Sequence, residues 1–282
     1  MSDKALRVFD EATAVITGGA SGIGRALAEE LVQRGSEVVL ADLQIELAEE
    51  VASAIRAAGG KATAFKLDVA DFPRVERLLQ ETLEHTGRLD YMFNNAGIGI
   101  GGGVNLHTIE DWDHIIDINL RGVVNGVQAA YQIMLSQGFG HIVNTASAAG
   151  LMPTPGAVSY AATKHAVVGL SKSLRAEAAA TGIRVSVLCP GVIRTPILEG
   201  GKYGKNLMDI SLDQQRDMWE KFKPMVPNIF ASKALDAIAK NKAIIIIPSW
   251  WKLFWWIHRL FPSLGISLAK KQYQNIQTHL KG

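Results

Sequence analysis

The sequence predicts an α/β chain built on a doubly wound parallel sheet of about seven strands. Short runs rich in valine and isoleucine recur along the 282 residues. They alternate with stretches of helical period rich in alanine, leucine and glutamate. The runs are continuously apolar rather than alternating, as expected of strands buried on both faces. A β-α-β-α order then requires right-handed crossovers, with helices on both sides of one sheet. No internal repeat, low-complexity tract or Pro/Ser-rich linker divides the chain. We expect one domain over residues 1–248 and a C-terminal extension over 249–282.

The expected strands are "TAVIT" (13–17), "EVVLA" (37–41), "ATAFKL" (62–67) and "LDYMFN" (89–94). They continue with "GHIVNT" (140–145), "RVSVLC" (184–189) and "AIIIIP" (243–248). Helical stretches such as 45–59 and 72–87 lie between them, each ending at a glycine that can cap it. In such a sheet, ligands bind beyond the carboxyl ends of the strands, so the residues just after each strand are the ones to read.

Composition excludes several classes. A net charge of +2 gives no reason to expect nucleic acid as a partner. Cys189 is the single cysteine, which fits a reducing, cytoplasmic setting and reads as a small buried hydrophobe. Seven scattered histidines form no metal-ligand spacing, so no metal site is expected. The first residues, "MSDKALRVFDEA", lack the apolar core of a signal peptide.

After the first strand comes "TGGASGIGRALAEEL", with Gly18, Gly22 and Gly24 in G-x-x-x-G-x-G spacing. Glycines let the backbone turn sharply and approach a pyrophosphate, which then sits at a positive helix N-terminus. The spacing departs from the dinucleotide fingerprint G-x-G-x-x-G. Asp42 closes the second strand, where a carboxylate accepts bonds from ribose hydroxyls and repels a 2′-phosphate. No arginine follows it directly, so NAD is favoured over NADP; Asp42 also reads as a cap for the helix starting near Gln44.

The other predicted strand ends carry "LDVAD", "NNAG", "NTASAAG" and "CPGVIRTP". Tyr160 and Lys164 follow thirteen and seventeen residues after Ser147, and "DWDHIIDINLRGVV" holds Asn119 on an apolar-periodic helix. In this order and spacing, from about residue 10 to 196, the sequence resembles the short-chain dehydrogenase/reductase family, whose sheet is of Rossmann type.

The resemblance implies roles at matching positions. Tyr160 is the expected general acid/base, Lys164 its electrostatic partner and ribose ligand, Ser147 a hydrogen-bond partner of the substrate oxygen. Asn119 is expected to hold a water in the proton relay. Cofactor contacts are implied at Gly18, Ser21, Gly22, Ile23 and Gly24, and at Asp42. Asp68 and Val69 flank the adenine, and Asn95, Ala96 and Gly97 adjoin the ribose. Pro190, Gly191, Ile193 and Thr195 reach the nicotinamide side. Bland readings stand beside these: Ser147 as a cap after its strand, Asn119 as a satisfied group in a helix kink, Asn94 as a tie between strands, His165 as structural.

A free tyrosine has a pKa of about 10, so roughly one phenol in a thousand is ionised at pH 7. Lowering it by about three units means stabilising phenolate by about 4 kcal/mol. A nearby ammonium and the positive ring of oxidised nicotinamide both act that way.

Substrate choice is expected in 98–108, 148–158 and 196–228, the last a mobile lid with an amphipathic helix near 211–222. Leu151, Met152, Pro153 and Pro155 lie near Ser147, and Met208, Met218, Trp219 and Phe222 offer an apolar wall. Few charges in the first two segments favour a bulky apolar alcohol or ketone. Residues 248–261 read "PSWWKLFWWIHRLF", and from Ala243 onward there are five lysines and arginines and no acid. Three readings of this tail stay open: peripheral membrane contact through 250–261, a cover on the substrate cleft, or a subunit interface. Family resemblance adds a homodimer or homotetramer built on the helices near Asn119 and Tyr160. The expected activity is NAD-dependent interconversion of a secondary alcohol and a ketone. An NADP-dependent carbonyl reductase and a non-catalytic nucleotide- or lipid-binding scaffold are the alternatives.

Overall fold

A computed structural model describes residues 5–281, with side chains through Asn275. β1 (Thr13–Thr17) leads into α1 (Gly22–Gln33), β2 (Glu37–Asp42), α2 (Ile45–Ala57), β3 (Lys61–Lys66), α3 (Phe72–Thr86) and β4 (Tyr91–Asn94). Then come a short β5 (Ile100–Gly101), α4 (Ile109–Ile116), α5 (Gly122–Gln137), β6 (Gly140–Thr145), α6 (Val158–Glu177) and β7 (Ile183–Pro190). A short β8 (Lys205–Asn206), α7 (Leu212–Glu220), α8 (Pro227–Ala239), β9 (Ile244–Ile247), α9 (Trp251–Leu260) and α10 (Pro262–Lys281) follow.

Seven strands form one parallel sheet in the order β3-β2-β1-β4-β6-β7-β9, which is the predicted doubly wound, Rossmann-type architecture. Alternate residues of each strand point to opposite faces. Ala14, Ile16, Val38, Leu40, Tyr91 and Phe93 pack on one face with α1, α2 and α8. Val15, Val39, Ala41 and Met92 pack on the other with α3 and α5. That division explains why the strands read as continuous apolar runs: both faces are covered.

Strand order reverses between β1 and β4, so the loops after these two strands diverge and leave a crevice at the carboxyl edge of the sheet. Most predicted boundaries agree within a residue or two. β4 begins at Tyr91 rather than at residue 89, because Gln137 takes both the N–H and the C=O of Leu89. The glycine caps hold: Gly87 ends α3 at φ 73° and Gly59 follows α2 at φ 86°. The two-residue strands β5 and β8, which pair in parallel beside the crevice, carry no sequence signal.

Candidate active site

The loop from β1 to α1 is shaped by contacts that exclude side chains. A Cβ on Gly24 would lie 2.0 Å from the Gly18 carbonyl oxygen, and one on Gly18 would lie 2.9 Å from Cα of Ala96. Gly18 and Gly22 also adopt φ of +65° and +53°, a region L-residues rarely occupy. Ser21 stands in extended conformation at the N-cap of α1 and makes no side-chain cap bond. These residues fit the phosphates of a dinucleotide: backbone can approach closely, and the helix N-terminus carries positive potential.

Asp42 is buried at the end of β2, on the cavity wall. One carboxylate oxygen accepts the Ala20 N–H at 3.1 Å, and the other accepts the Gln44 N–H at 3.0 Å. The side chain therefore braces the glycine loop from below. It does not act as the N-cap of α2, a position taken by Gln44. Each carboxylate oxygen has capacity for a further donor such as a ribose hydroxyl.

Asn95 fixes the loop after β4. Its Nδ2 donates to the Thr17 carbonyl at 3.1 Å, its Oδ1 accepts from Thr145 Oγ1 at 3.2 Å, and its N–H donates to Thr17 Oγ1. Asn94 donates to Asn144 Oδ1 at 2.8 Å across β4 and β6, the strand tie its position predicted.

Ser147, Tyr160 and Lys164 converge on the same cavity. Ser147 follows β6, its Oγ accepts the Ala149 N–H at 3.1 Å, and the hydroxyl lies close enough to Tyr160 to pull its pKa down. The capping reading of Ser147 therefore holds, and the hydroxyl also faces the cavity. Tyr160 and Lys164 lie one turn apart on α6, and Lys164 Nζ sits 5.5 Å from the Tyr160 ring centroid. Nζ donates to the Thr145 carbonyl at 3.0 Å, which pins the butyl chain and leaves further ammonium hydrogens for a ligand.

Electrostatics here differ from the simple expectation. Burial pushes the Tyr160 phenol above its ordinary pKa, and the Ser147 hydrogen bond only partly opposes it. Burial also pulls the Lys164 ammonium down to about 8, with Cys189 acting the other way. The protein's own groups therefore do not poise the phenol near neutrality. Cys189 is buried with its thiol pushed up to about 12, as a small inert hydrophobe should be.

Asn119 does not line the cavity. It is fully buried on a π-helical turn, Asp117–Arg121, between α4 and α5. Its Oδ1 accepts the Ile98 N–H at 2.8 Å, and its Nδ2 donates to the Ile98 carbonyl at 2.9 Å. The side chain is a clamp on the segment after β4, the kink reading of the sequence.

The enclosing cavity measures about 810 Å³. Of the cofactor and catalytic positions expected from sequence, all line it except Gly24 and Asn119, which stand behind the wall. Thus Asp68, Val69, Ala96, Gly97, Pro190, Gly191, Ile193 and Thr195 are brought together with the glycine loop, from loops after β3, β4 and β7. Met152, Pro153 and Pro155 line the cavity, as do Met208, Met218, Trp219 and Phe222. Leu151 instead packs into the core with Val167, Val168 and Val187. The segment expected as a lid touches the rest of the chain through the Lys205–Asp111 ion pair at 2.5 Å and the β5–β8 pairing, while Arg216–Glu199 closes within it.

Sequence reading singled out Trp251 within the tryptophan-rich tail, with a cover on the cleft as one of its readings, but did not single out Tyr273. Trp251 packs against Gly191, whose Cβ would fall 2.1 Å from the indole nitrogen; Tyr273 reaches Gly103 and Gly156 on the far rim. Both line the cavity, so the tail closes one of its walls. Trp219 and Trp251 present indole N–H groups that are buried without a partner among the described residues. Among those residues no cluster of His, Cys, Asp and Glu could hold a metal ion.

Known proteins share this arrangement. The profile of the family described as short chain dehydrogenase matches residues 12–203, and the chain belongs to that family. Oxidoreductase UcpA of Salmonella typhimurium is 40% identical over 188 residues, 66% of this chain and 71% of its own. The 2,5-dichloro-2,5-cyclohexadiene-1,4-diol dehydrogenase LinX of Sphingobium indicum is 40% identical over 184 residues, 65% of this chain and 74% of its own. A short chain dehydrogenase/reductase from Burkholderia phymatum, solved in complex with NAD, superposes with a TM-score of 0.83 at 31% identity. That similarity covers 92% of this chain and 96% of the other.

Proposed function

We propose that this protein is an NAD-dependent oxidoreductase interconverting a lipophilic secondary alcohol and its ketone. The observation that carries the reading is a single cavity holding both the glycine loop with Asp42 and the Ser147–Tyr160–Lys164 cluster. When bound, the nicotinamide supplies the hydride acceptor or donor. In the reductive direction, the Tyr160 hydroxyl gives its proton to the substrate oxygen; in the oxidative direction the Tyr160 phenolate takes the alcohol proton. Ser147 holds that oxygen beside the phenol. Lys164 provides positive charge behind the ring and free N–H donors for ribose hydroxyls, while Gly97 leaves room for it: a Cβ there would lie 3.3 Å from Nζ.

Preference for NAD rests on the buried Asp42 carboxylate, flanked on the wall by Leu43 and Gln44, with no arginine lining the cavity. The substrate reading rests on the wall of Met152, Met208, Met218, Trp219 and Phe222. We place residues 1–248 as the catalytic unit and 249–282 as its appended wall.

The test is the near-ultraviolet absorbance of reduced nicotinamide, followed across lipophilic secondary alcohols and ketones with NAD and NADP in parallel. Tyr160→Phe is expected to cut turnover by roughly 10²–10⁴-fold while dinucleotide affinity stays near wild type. Near-normal turnover in Tyr160→Phe overturns the assignment.

A further inference from the structure

We propose that α9 and α10 form a docking surface for an anionic lipid bilayer. Nine large apolar side chains between Trp250 and Leu268 are at least 44% exposed, among them Trp250, Leu253, Trp256, Leu260 and Phe261. Singly exposed apolar residues are ordinary on a soluble protein, but a contiguous group of this density marks a contact surface. What the surface contacts follows from its charge. The whole chain carries +2 and the segment from Ala243 onward +5, which leaves the remainder at −3. Lys252, Arg259, Lys270 and Lys271 are exposed, and no acid in the segment neutralises them. A protein interface core depletes lysine. Tryptophan and leucine beside lysine and arginine fit the headgroup boundary, where rings sit at the interface and ammonium groups meet lipid phosphate.

The mode is peripheral. No helix among the described residues is long and apolar enough to cross a membrane. The other side of α9 is fixed to the protein, since Trp251 and Trp255 pack on the cluster of Val123, Val167, Val187 and Ile246. Gly265 lets α10 fold tightly against His258, where a Cβ would lie 2.5 Å from Nδ1. The two helices thus make a braced platform, and through Trp251 and Tyr273 the same platform walls the cavity. Docking brings the cavity beside the lipid phase, from which an apolar alcohol or ketone partitions.

The experiment is flotation of the full chain with vesicles of phosphatidylcholine alone and of phosphatidylcholine mixed equally with phosphatidylglycerol. The expected result is recovery with the anionic vesicles, weakened by salt and much smaller with phosphatidylcholine alone. Leu253→Ser combined with Leu260→Ser, neither on the cavity wall, should lower partitioning roughly tenfold or more. Lys252→Glu and Lys270→Glu should each lower it about fivefold or more on anionic vesicles. Dinucleotide binding measured on the same samples reports that the variants are folded. Failure of the full chain to float, or equal flotation of the double leucine variant, overturns the proposal. If that variant instead dissociates an oligomer seen by light scattering while flotation is absent, the face joins copies of the chain. Flotation needs no turnover, so its outcome is separate from that of the proposed reaction.

Discussion

His141 sits at the centre of the sheet, on β6, with no exposed surface. Ser186 Oγ donates to the Lys242 carbonyl, so the imidazole Nε2 must carry the hydrogen that bonds Ser186 at 2.9 Å. Burial, with Arg184 and Arg175 adding to it, drives the His141 pKa down to about 3. The ring is therefore neutral when folded, whereas the unfolded chain binds a proton below about pH 6.5. Stability is full above that pH and falls as the pH drops towards 3, by about 1.4 kcal/mol per unit from this group. Urea midpoints at pH 7 and 5 should show that slope reduced in His141→Phe. Asp42 poses a different question, because its carboxylate braces the glycine loop as well as facing the proposed ribose. Asp42→Asn keeps an acceptor oxygen and removes the charge. Its ratio of activity with NADP to that with NAD should rise about tenfold or more, since like charges held together cost several kcal/mol. An unchanged ratio removes Asp42 from cofactor selection.

At the scale of elements, the β1–α1 turn is the least tolerant. Gly24 lies behind the cavity wall, so its hydrogen side chain serves packing: α1 crosses the Gly18 carbonyl at a separation no Cβ allows. Gly24→Ala should cost roughly 1–3 kcal/mol by overpacking and weaken dinucleotide binding together with stability, as read by thermal midpoint and titration. The site residues of α6 were legible because Tyr160 and Lys164 are a local pair, fixed by helical spacing alone. Asn119 was legible as a satisfied group at a helix kink, but its partner Ile98 was not. Its turn is π-helical because it joins α4 to α5 against Ile98, a contact that helical periodicity does not encode.

Across the whole molecule, the cavity joins residues from Gly18 to Tyr273, so its shape belongs to no single segment. Tyr273 is its most distant contributor, and Tyr273→Ala should raise KM for an apolar substrate up to about tenfold. That is the ratio for about 1.4 kcal/mol of lost aromatic contact. Dinucleotide affinity should be unaffected, since Tyr273 lies by Gly103 and Gly156 rather than by the glycine loop. The alternation of strands and helices, the glycine loop, the acid after β2 and the Ser–Tyr–Lys order were all readable along the chain. Each depends on neighbours a few residues apart or on a strand's carboxyl end. Three things were decided only by the folded structure. Burial pushes the Tyr160 phenol up, a contribution set by what covers it and invisible to helical spacing. The segment expected as a lid is tethered by Lys205 to Asp111, a pairing 94 residues apart in sequence. And the tryptophan-rich tail divides its rings between the cavity wall and the open surface, since its path over the sheet is set by packing on β7, β9 and α6 rather than by its own pattern.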